Sequence, residues 1–167
     1  MNDLLKTPLI IVSIAFLIGS ISFINGCKKD PFCDAKDSIS GIIKERYIFG
    51  CGYYDGKLNE KQFIIDNDSS FQALLSKGKG SQSREQCKDE DFPKIDFSQN
   101  TLLGLYADGG GCSTGFERNV TKDEGNKVYQ YTIKVNECGQ CDKLRLDMNW
   151  VLVPKLPQDY KVEFEVK

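Results

Sequence analysis

The sequence predicts an α+β domain made mainly of antiparallel β-sheet, a small sandwich or barrel-like structure with one short helix and disulfide bonds. Three observations in the 167-residue chain predict this class: alternating apolar and polar residues in its second half, a single segment with helical spacing, and seven cysteines. Alternation with a period of two is typical of strands that bury one face and expose the other.

Seven segments have the composition of β-strands. Three of them alternate apolar and polar residues throughout, and we predict that they are half-buried antiparallel strands: 129–135, 143–152 and 162–166. Four more are less regular or more uniformly apolar: 40–49, 62–66, 101–107 and 116–120. In the longest alternating segment, the predicted buried face consists of Leu144, Leu146, Met148, Trp150 and Leu152.

One helix is predicted in the first half of the chain. Asp68-Ser69-Ser70 offers N-caps, and the apolar Phe71, Leu74 and Leu75 follow at helical spacing. Gly78 is expected to end the helix, because glycine is common just after the last helical residue.

The N-terminal region resembles the signal of bacterial lipoproteins. An apolar run of 16 residues from Leu9 to Ile24 leads into Ile24-Asn25-Gly26-Cys27, which is similar to the lipobox at which such signals are cut. The resemblance implies cleavage before Cys27 and attachment of fatty acids (palmitate) to that cysteine, with the membrane as the partner of the lipid. We therefore expect a signal peptide at 1–26, a lipidated tether at 27–38 and a single β-rich globular domain at 39–167.

The residues after Cys27 indicate where the protein resides. Cys27-Lys28-Lys29-Asp30 resembles the export signals of lipoproteins from the Bacteroidetes, which favours the outer membrane and leaves its periplasmic and surface faces as alternatives. The alternatives are an uncleaved transmembrane anchor and a cleaved soluble form. For the transmembrane anchor, 16 apolar residues fall short of the roughly 20 that a bilayer requires. Lys28 and Lys29 would also direct the following domain to the cytoplasm, where thiols are kept reduced.

The cysteine count agrees with a lipid on Cys27. Seven cysteines are an odd number for an exported protein, and assigning Cys27 to the lipid leaves an even set of disulfide candidates. Their connectivity is not determined by the sequence. The candidates are Cys33, Cys51, Cys87, Cys112, Cys138 and Cys141.

The composition disfavours several kinds of chemistry. The chain has no histidine, which removes Ser-His-Asp and Cys-His nucleophiles and imidazole zinc sites. Its net charge of −2 without a basic block argues against nucleic-acid binding.

Cys138-Gly139-Gln140-Cys141 has thioredoxin-type spacing. Its strand-like flanks favour a structural role, and a thiol–disulfide oxidoreductase is the alternative. No catalytic, cofactor-binding or metal-binding residue is predicted, and Asp89-Glu90-Asp91 is interpreted as a solvated loop.

Two further features suggest binding. The glycine-rich segment from Gly109 to Gly115 lacks the Gly-Lys-Ser/Thr ending of a phosphate-binding loop, so we interpret it as a hairpin loop that Cys112 pins. Such a loop exposes backbone amides that can form a binding surface. A carbohydrate-binding hypothesis requires four exposed tyrosines: Tyr47, Tyr53, Tyr54 and Tyr106.

From Phe92 to the C-terminus, the chain resembles the C-terminal domain of the PrcB-like family of bacterial protease-complex proteins. The matching features are Ile95-Asp96-Phe97-Ser98 before the strand at 101–107, Gly115-Phe116, Val153-Pro154-Lys155 and Val162-Glu163-Phe164. Cys138 and Cys141 depart from the family pattern. The resemblance implies a non-catalytic accessory domain that associates with other envelope proteins. We expect a non-enzymatic, membrane-anchored envelope lipoprotein that binds a protein or a ligand.

Overall fold

Eight strands and one helix form the part of the chain that the computed structural model describes, residues 33–49, 60–77, 92 and 94–167. The strands are β1 (Ser38–Gly41), β2 (Glu45–Arg46), β3 (Gln62–Ile65), β4 (Asn100–Gly110), β5 (Ser113–Asp123), β6 (Val128–Cys138), β7 (Leu144–Pro154) and β8 (Lys161–Val166). The helix, α1, is Asp68–Lys77. The predicted class, mainly antiparallel sheet with one short helix and disulfide bonds, is confirmed.

The strands form two four-stranded sheets that pack face to face as a sandwich. We call the sheet that lies between α1 and the other sheet the inner sheet. It has the order β2-β7-β4-β3, and every neighbouring pair in it is antiparallel. The outer sheet has the order β1-β5-β6-β8. In the outer sheet β5 and β6 are antiparallel, whereas β1 runs parallel to β5 and β8 runs parallel to β6.

The parallel direction of β8 differs from the antiparallel strand predicted at 162–166. β8 follows β7 of the inner sheet, and the chain crosses to the outer sheet before it lies beside β6. Alternation within a segment defines its two faces but not the direction of its neighbour. The strand predicted at 40–49 likewise separates into β1 of the outer sheet and β2 of the inner sheet.

The inner sheet is buried on both faces over much of its length. Residues 148–153 of β7 are all buried, and they belong alternately to a cluster under α1 and to a cluster between the sheets, apart from Asn149. On the helix side, Met148 and Trp150 share a cluster with Phe71 and Leu74 of α1. This part of β7 is therefore fully buried rather than half-buried, because α1 and the outer sheet cover opposite faces.

Apolar side chains from both sheets form the core between them. Leu103 of β4, Val120 of β5, Tyr131 of β6 and Val151 of β7 have no solvent exposure. Full burial of an aliphatic or aromatic side chain contributes roughly 1.5–3 kcal/mol, so this cluster is a main source of the stability of the sandwich.

The N-cap of the helix lies one residue before the predicted caps. Asn67 is the N-cap: its Oδ1 accepts a hydrogen bond from the Ser70 N–H at 2.8 Å, and Asp68 is the first helical residue. The helix ends at Lys77, and the predicted stop at Gly78 lies outside the described residues.

Candidate functional site

The chain crosses between the two sheets twice at one end of the sandwich. β4 leads into β5 through Gly111 and Cys112, and β6 leads into β7 through residues 139–143. A disulfide between Cys112 and Cys141 joins the two crossings, with a Cα–Cα distance of 4.6 Å. We call this end of the sandwich, residues 109–115 and 137–146, the disulfide end.

Glycines allow the tight approach of the two crossings. Gly111 and Gly139 have φ angles of 99° and 79°, a region that residues with a side chain rarely adopt. A Cβ at Gly139 would also lie 2.8 Å from the Cys112 sulfur. Gly109 and Gly110 belong to β4 and Gly115 belongs to β5. The predicted hairpin loop at 109–115 is thus wrong: the segment is a corner between strands of different sheets.

A second disulfide attaches the N-terminal segment to the same end. Cys33 is buried and is bonded to Cys138 of β6, with a Cα–Cα distance of 5.5 Å. The Ala35 N–H donates to the Ser113 hydroxyl at 3.2 Å. β1 then runs parallel to β5, whose first residue is at the disulfide end, so the chain enters the sandwich from that end.

The two cysteines of the Cys138-Gly139-Gln140-Cys141 motif belong to different disulfides. A strand, β7, follows the motif, whereas a helix N-terminus lowers the pKa of the first thiol in thioredoxin-type pairs. The structural role that the sequence favoured for these cysteines agrees with this pairing. The remaining disulfide candidates, Cys51 and Cys87, and the predicted anchor Cys27 lie outside the described residues.

Five charged residues converge between the sheets close to the disulfide end. Asp37 precedes β1 and accepts hydrogen bonds from Arg46 of β2 at 2.8 Å and from Arg145 of β7 at 2.9 Å. Asp147 of β7 accepts from the same two guanidinium groups, at 3.3 Å and 2.9 Å. Arg118 of β5 completes the set, which we call the arginine cluster: Asp37, Arg46, Arg118, Arg145 and Asp147.

Arg118 is the buried member of the arginine cluster. Its side chain has no solvent exposure, and its Nη2 lies 3.6 Å from Asp37 and 4.0 Å from Asp147. Nη1 donates to the Phe116 carbonyl at 2.9 Å, whereas within the described residues Nε and Nη2 have no hydrogen-bond partner. Burial lowers the pKa of the guanidinium, and the nearby charge of Arg46 lowers it further.

The arginine cluster holds Asp37 as a carboxylate. Burial raises the pKa of Asp37, but hydrogen bonds from Arg145 and the Phe116 N–H, together with the charges of Arg118 and Arg145, outweigh burial and lower the pKa to about 2. Because Asp37 contacts β2, β5 and β7, the cluster ties the segment before β1 to both sheets.

Sequence reasoning missed the arginine cluster, although one signal was present. Arg118 lies between Phe116 and Val120 at a position where alternation places an inward-facing side chain. A charge at such a position needs partners of opposite charge or hydrogen-bonding partners. Asp37 and Asp147, its two acidic partners, come from distant parts of the chain.

Leu144 and Leu146 are exposed, which corrects part of the buried face predicted for 143–152. Their exposed fractions are 68% and 58%, whereas Met148, Trp150 and Leu152 of the same face are buried. In the register of the inner sheet, Leu144 is opposite Gly110 and Leu146 is opposite Asp108, so neither neighbour is a large apolar residue. The cluster under α1 includes Met148, Trp150 and Leu152 but neither of these leucines.

A groove of about 320 Å³ lies beside α1. Its lining is mixed, with four apolar residues and three polar or charged ones. The lining residues are Asp68, Phe71, Gln72, Leu75, Phe92, Lys94 and Ile95.

The tyrosines of the carbohydrate hypothesis do not form one exposed surface. Tyr47 is buried, and burial raises the pKa of its hydroxyl to about 12. Tyr106 is half-buried, with the Lys61 ammonium 5.0 Å from its ring centroid. Tyr53 and Tyr54 lie outside the described residues.

Among the described residues, no group of three or more Cys, Asp or Glu side chains is arranged to hold a metal ion. The acidic stretch Asp89-Glu90-Asp91 is outside these residues. Within the same ranges, no helix is long and apolar enough to span a bilayer. Comparisons with protein-family models, with curated proteins and with solved structures find no match for this chain.

Proposed function

We propose that the chain is a lipid-anchored envelope protein, held in the outer membrane by fatty acids on Cys27, whose sandwich binds another envelope protein or a ligand without catalysis. The observation that carries the proposal is the pair of disulfides Cys33–Cys138 and Cys112–Cys141. Structural disulfides persist in oxidising compartments and are rare in the cytosol. They support export of the domain, which is what a lipobox at Cys27 provides.

The accessory role rests on two supports. The likeness of the C-terminal half to the PrcB-like domain, carried by short segments such as Gly115-Phe116, favours a domain that associates with other envelope proteins. The groove beside α1 adds a concave surface that combines apolar residues with Asp68, Gln72 and Lys94. We propose this groove as the binding site of the partner or ligand.

Fatty-acid labelling in the native host tests the anchor. The wild-type chain is expected to incorporate labelled palmitate and Cys27→Ser is expected to lose the label, because the lipid is attached to that thiol. A variant with Cys112→Ser and Cys141→Ser is the matched control and should keep the label. An unlabelled wild type, or equal labelling of Cys27→Ser, would refute the anchor.

Capture from the native envelope tests the binding groove. Gln72 lines the groove and Ala73 is its exposed helical neighbour outside it, so Gln72→Trp and Ala73→Trp add the same ring at two adjacent positions. We expect the first to reduce the material that co-purifies with the tagged full-length protein, and the second to leave it unchanged. Equal effects of the two substitutions would show that binding does not use the groove.

A further inference from the structure

We propose that the disulfide end lies against the lipid bilayer and inserts the Leu144 and Leu146 side chains at the level of the headgroups. The occupant of this surface is a zwitterionic phospholipid membrane. The inference rests on the proposed lipid at Cys27 and adds to it an orientation of the domain and a second membrane contact.

The segment from Cys27 to Cys33, which is the part of the predicted tether before the first disulfide, restricts the distance between the anchor and the domain. Cys27 and Cys33 are six residues apart, and a fully extended chain advances at most about 3.3–3.6 Å per residue. Cys33 therefore lies within about 20 Å of a lipid on Cys27. Because Cys33 is bonded to Cys138, the same limit holds approximately for the whole disulfide end.

The direction of the strands places the rest of the sandwich farther away. β4, β5, β6 and β7 each contain 11 residues, and all four have one terminus at the disulfide end. At about 3.3 Å per residue, the opposite end is roughly 35 Å distant. Among the described residues, the segment that follows the anchor is tied to the disulfide end and its vicinity through Cys33 and Asp37.

The chemistry of the disulfide end suits a lipid surface. Leu144 and Leu146 are adjacent on one face of β7, and they are the two most exposed leucines of the described chain. Lys143 beside them is exposed and long enough to reach phosphate oxygens while its methylene chain contacts lipid. Within the disulfide end, Glu137 and Asp142 balance the charges of Lys143 and Arg145, which favours a zwitterionic over an anionic membrane.

A depth measurement on the full-length lipidated protein in phosphatidylcholine vesicles tests this orientation. Leu146→Trp introduces an indole at the proposed contact, and Leu144→Trp is a second variant at the more exposed position. Ile64→Trp is the matched control: Ile64 is also an exposed aliphatic residue of the inner sheet, but it is opposite Leu103, five residues along β4 from the partner of Leu146. The unmodified chain supplies the background of the buried Trp150.

Bromine-labelled lipids report contact by quenching the indole emission. We expect a blue shift and loss of emission for Leu146→Trp and Leu144→Trp in vesicles, and neither change for Ile64→Trp. If the protein carries its lipid but no variant is quenched, the orientation is wrong and the anchor stands. If the unlipidated Cys27→Ser form of these variants already shows the blue shift in buffer, without detergent or vesicles, the leucines are covered by protein instead. A chain whose mass shows no lipid on Cys27 refutes the anchor itself.

Discussion

The space between the two sheets has two halves of opposite chemistry, and β7 shows the change within one strand. Along the face of β7 that is turned towards the outer sheet, the residues run from Arg145 and Asp147 near the disulfide end, through Asn149, to Val151 and Val153. The far half is held by apolar burial. The near half is held by ion pairs, hydrogen bonds and two disulfides.

The difference follows from what each half must connect. In the far half, long strands of both sheets present apolar side chains to one another, and burial alone favours contact. In the near half, the chain crosses between the sheets twice and also receives the segment before β1. These connections are short and irregular. Phe116 and Cys33 are buried beside them, but ion pairs, hydrogen bonds and the disulfides determine the positions of the crossings. Four predictions, from the largest expected effect to the smallest, test this division.

The disulfides should make the largest contribution to the stability of the near half. Replacing both Cys33 and Cys138 with Ala opens a link across 105 residues, and replacing both Cys112 and Cys141 opens one across 29 residues. Loop-closure entropy predicts losses of about 5 and about 4 kcal/mol in the free energy of unfolding. Urea denaturation of the purified oxidised variants measures both. Losses below about 1 kcal/mol for both pairs would mean that other contacts hold this end.

In the far half, a single deletion in the apolar core should be costly. Leu103→Ala removes a side chain without solvent exposure, and we expect a loss of about 2–5 kcal/mol. Ile64→Ala is the matched control, because Ile64 is opposite Leu103 in the sheet but is 48% exposed. Its loss in urea denaturation should be clearly smaller. Equal losses would contradict the assignment of the core to this face.

Acid should weaken the arginine cluster through Asp37. The pKa of Asp37 is lowered from 3.8 to about 2 in the folded protein, so the folded state binds fewer protons than the unfolded state between these values. The contribution of Asp37 is therefore complete above about pH 4 and is lost as the pH falls to about 2, by roughly 2 kcal/mol at most. Unfolding of wild type and Asp37→Asn at several pH values measures it, with Asp142→Asn as a control. If the free energy of unfolding of Asp37→Asn depended on pH in the same way as that of the wild type, this role of Asp37 would be excluded.

The charge of Arg118 should matter least. Three arginines face two aspartates, so Arg118→Met leaves two charges of each sign and fills most of the same volume. We expect a change within about 1 kcal/mol of zero, or a gain, because well-packed apolar residues often replace buried ions without loss. Arg118→Ala should be less stable, since it leaves a cavity. A loss above about 3 kcal/mol for Arg118→Met would show that the charge itself is required.

The fold was predictable to the extent that local pattern determines it. Alternation identified β6, β7 and β8, and the spacing of Phe71, Leu74 and Leu75 identified α1. The same pattern was misleading for Leu144 and Leu146, because burial depends on what covers a face. In β7 the cluster under α1 reaches Met148 and goes no farther towards the disulfide end.

The candidate sites were less predictable than the strands. The six disulfide candidates followed from counting cysteines, but the pairing of Cys33 with Cys138 brings together residues that are 105 positions apart. Only one feature of the sequence indicates the arginine cluster, namely the position of Arg118 on the inward face of β5. Its partners Asp37 and Asp147 lie on other elements, and no local pattern connects them.

The local sequence was sufficient to predict most strands, the helix and the disulfide candidates, and to show the resemblance of the leader to a lipoprotein signal. Each of these depends on residue types or on neighbours within a few positions. The pairing of β8 with β6, the two disulfide partnerships and the convergence of five charges between the sheets emerge only in the folded chain. These features depend on distances between remote segments. The periodicity of a segment indicates which of its residues share a face, but it does not indicate which remote segment lies beside it.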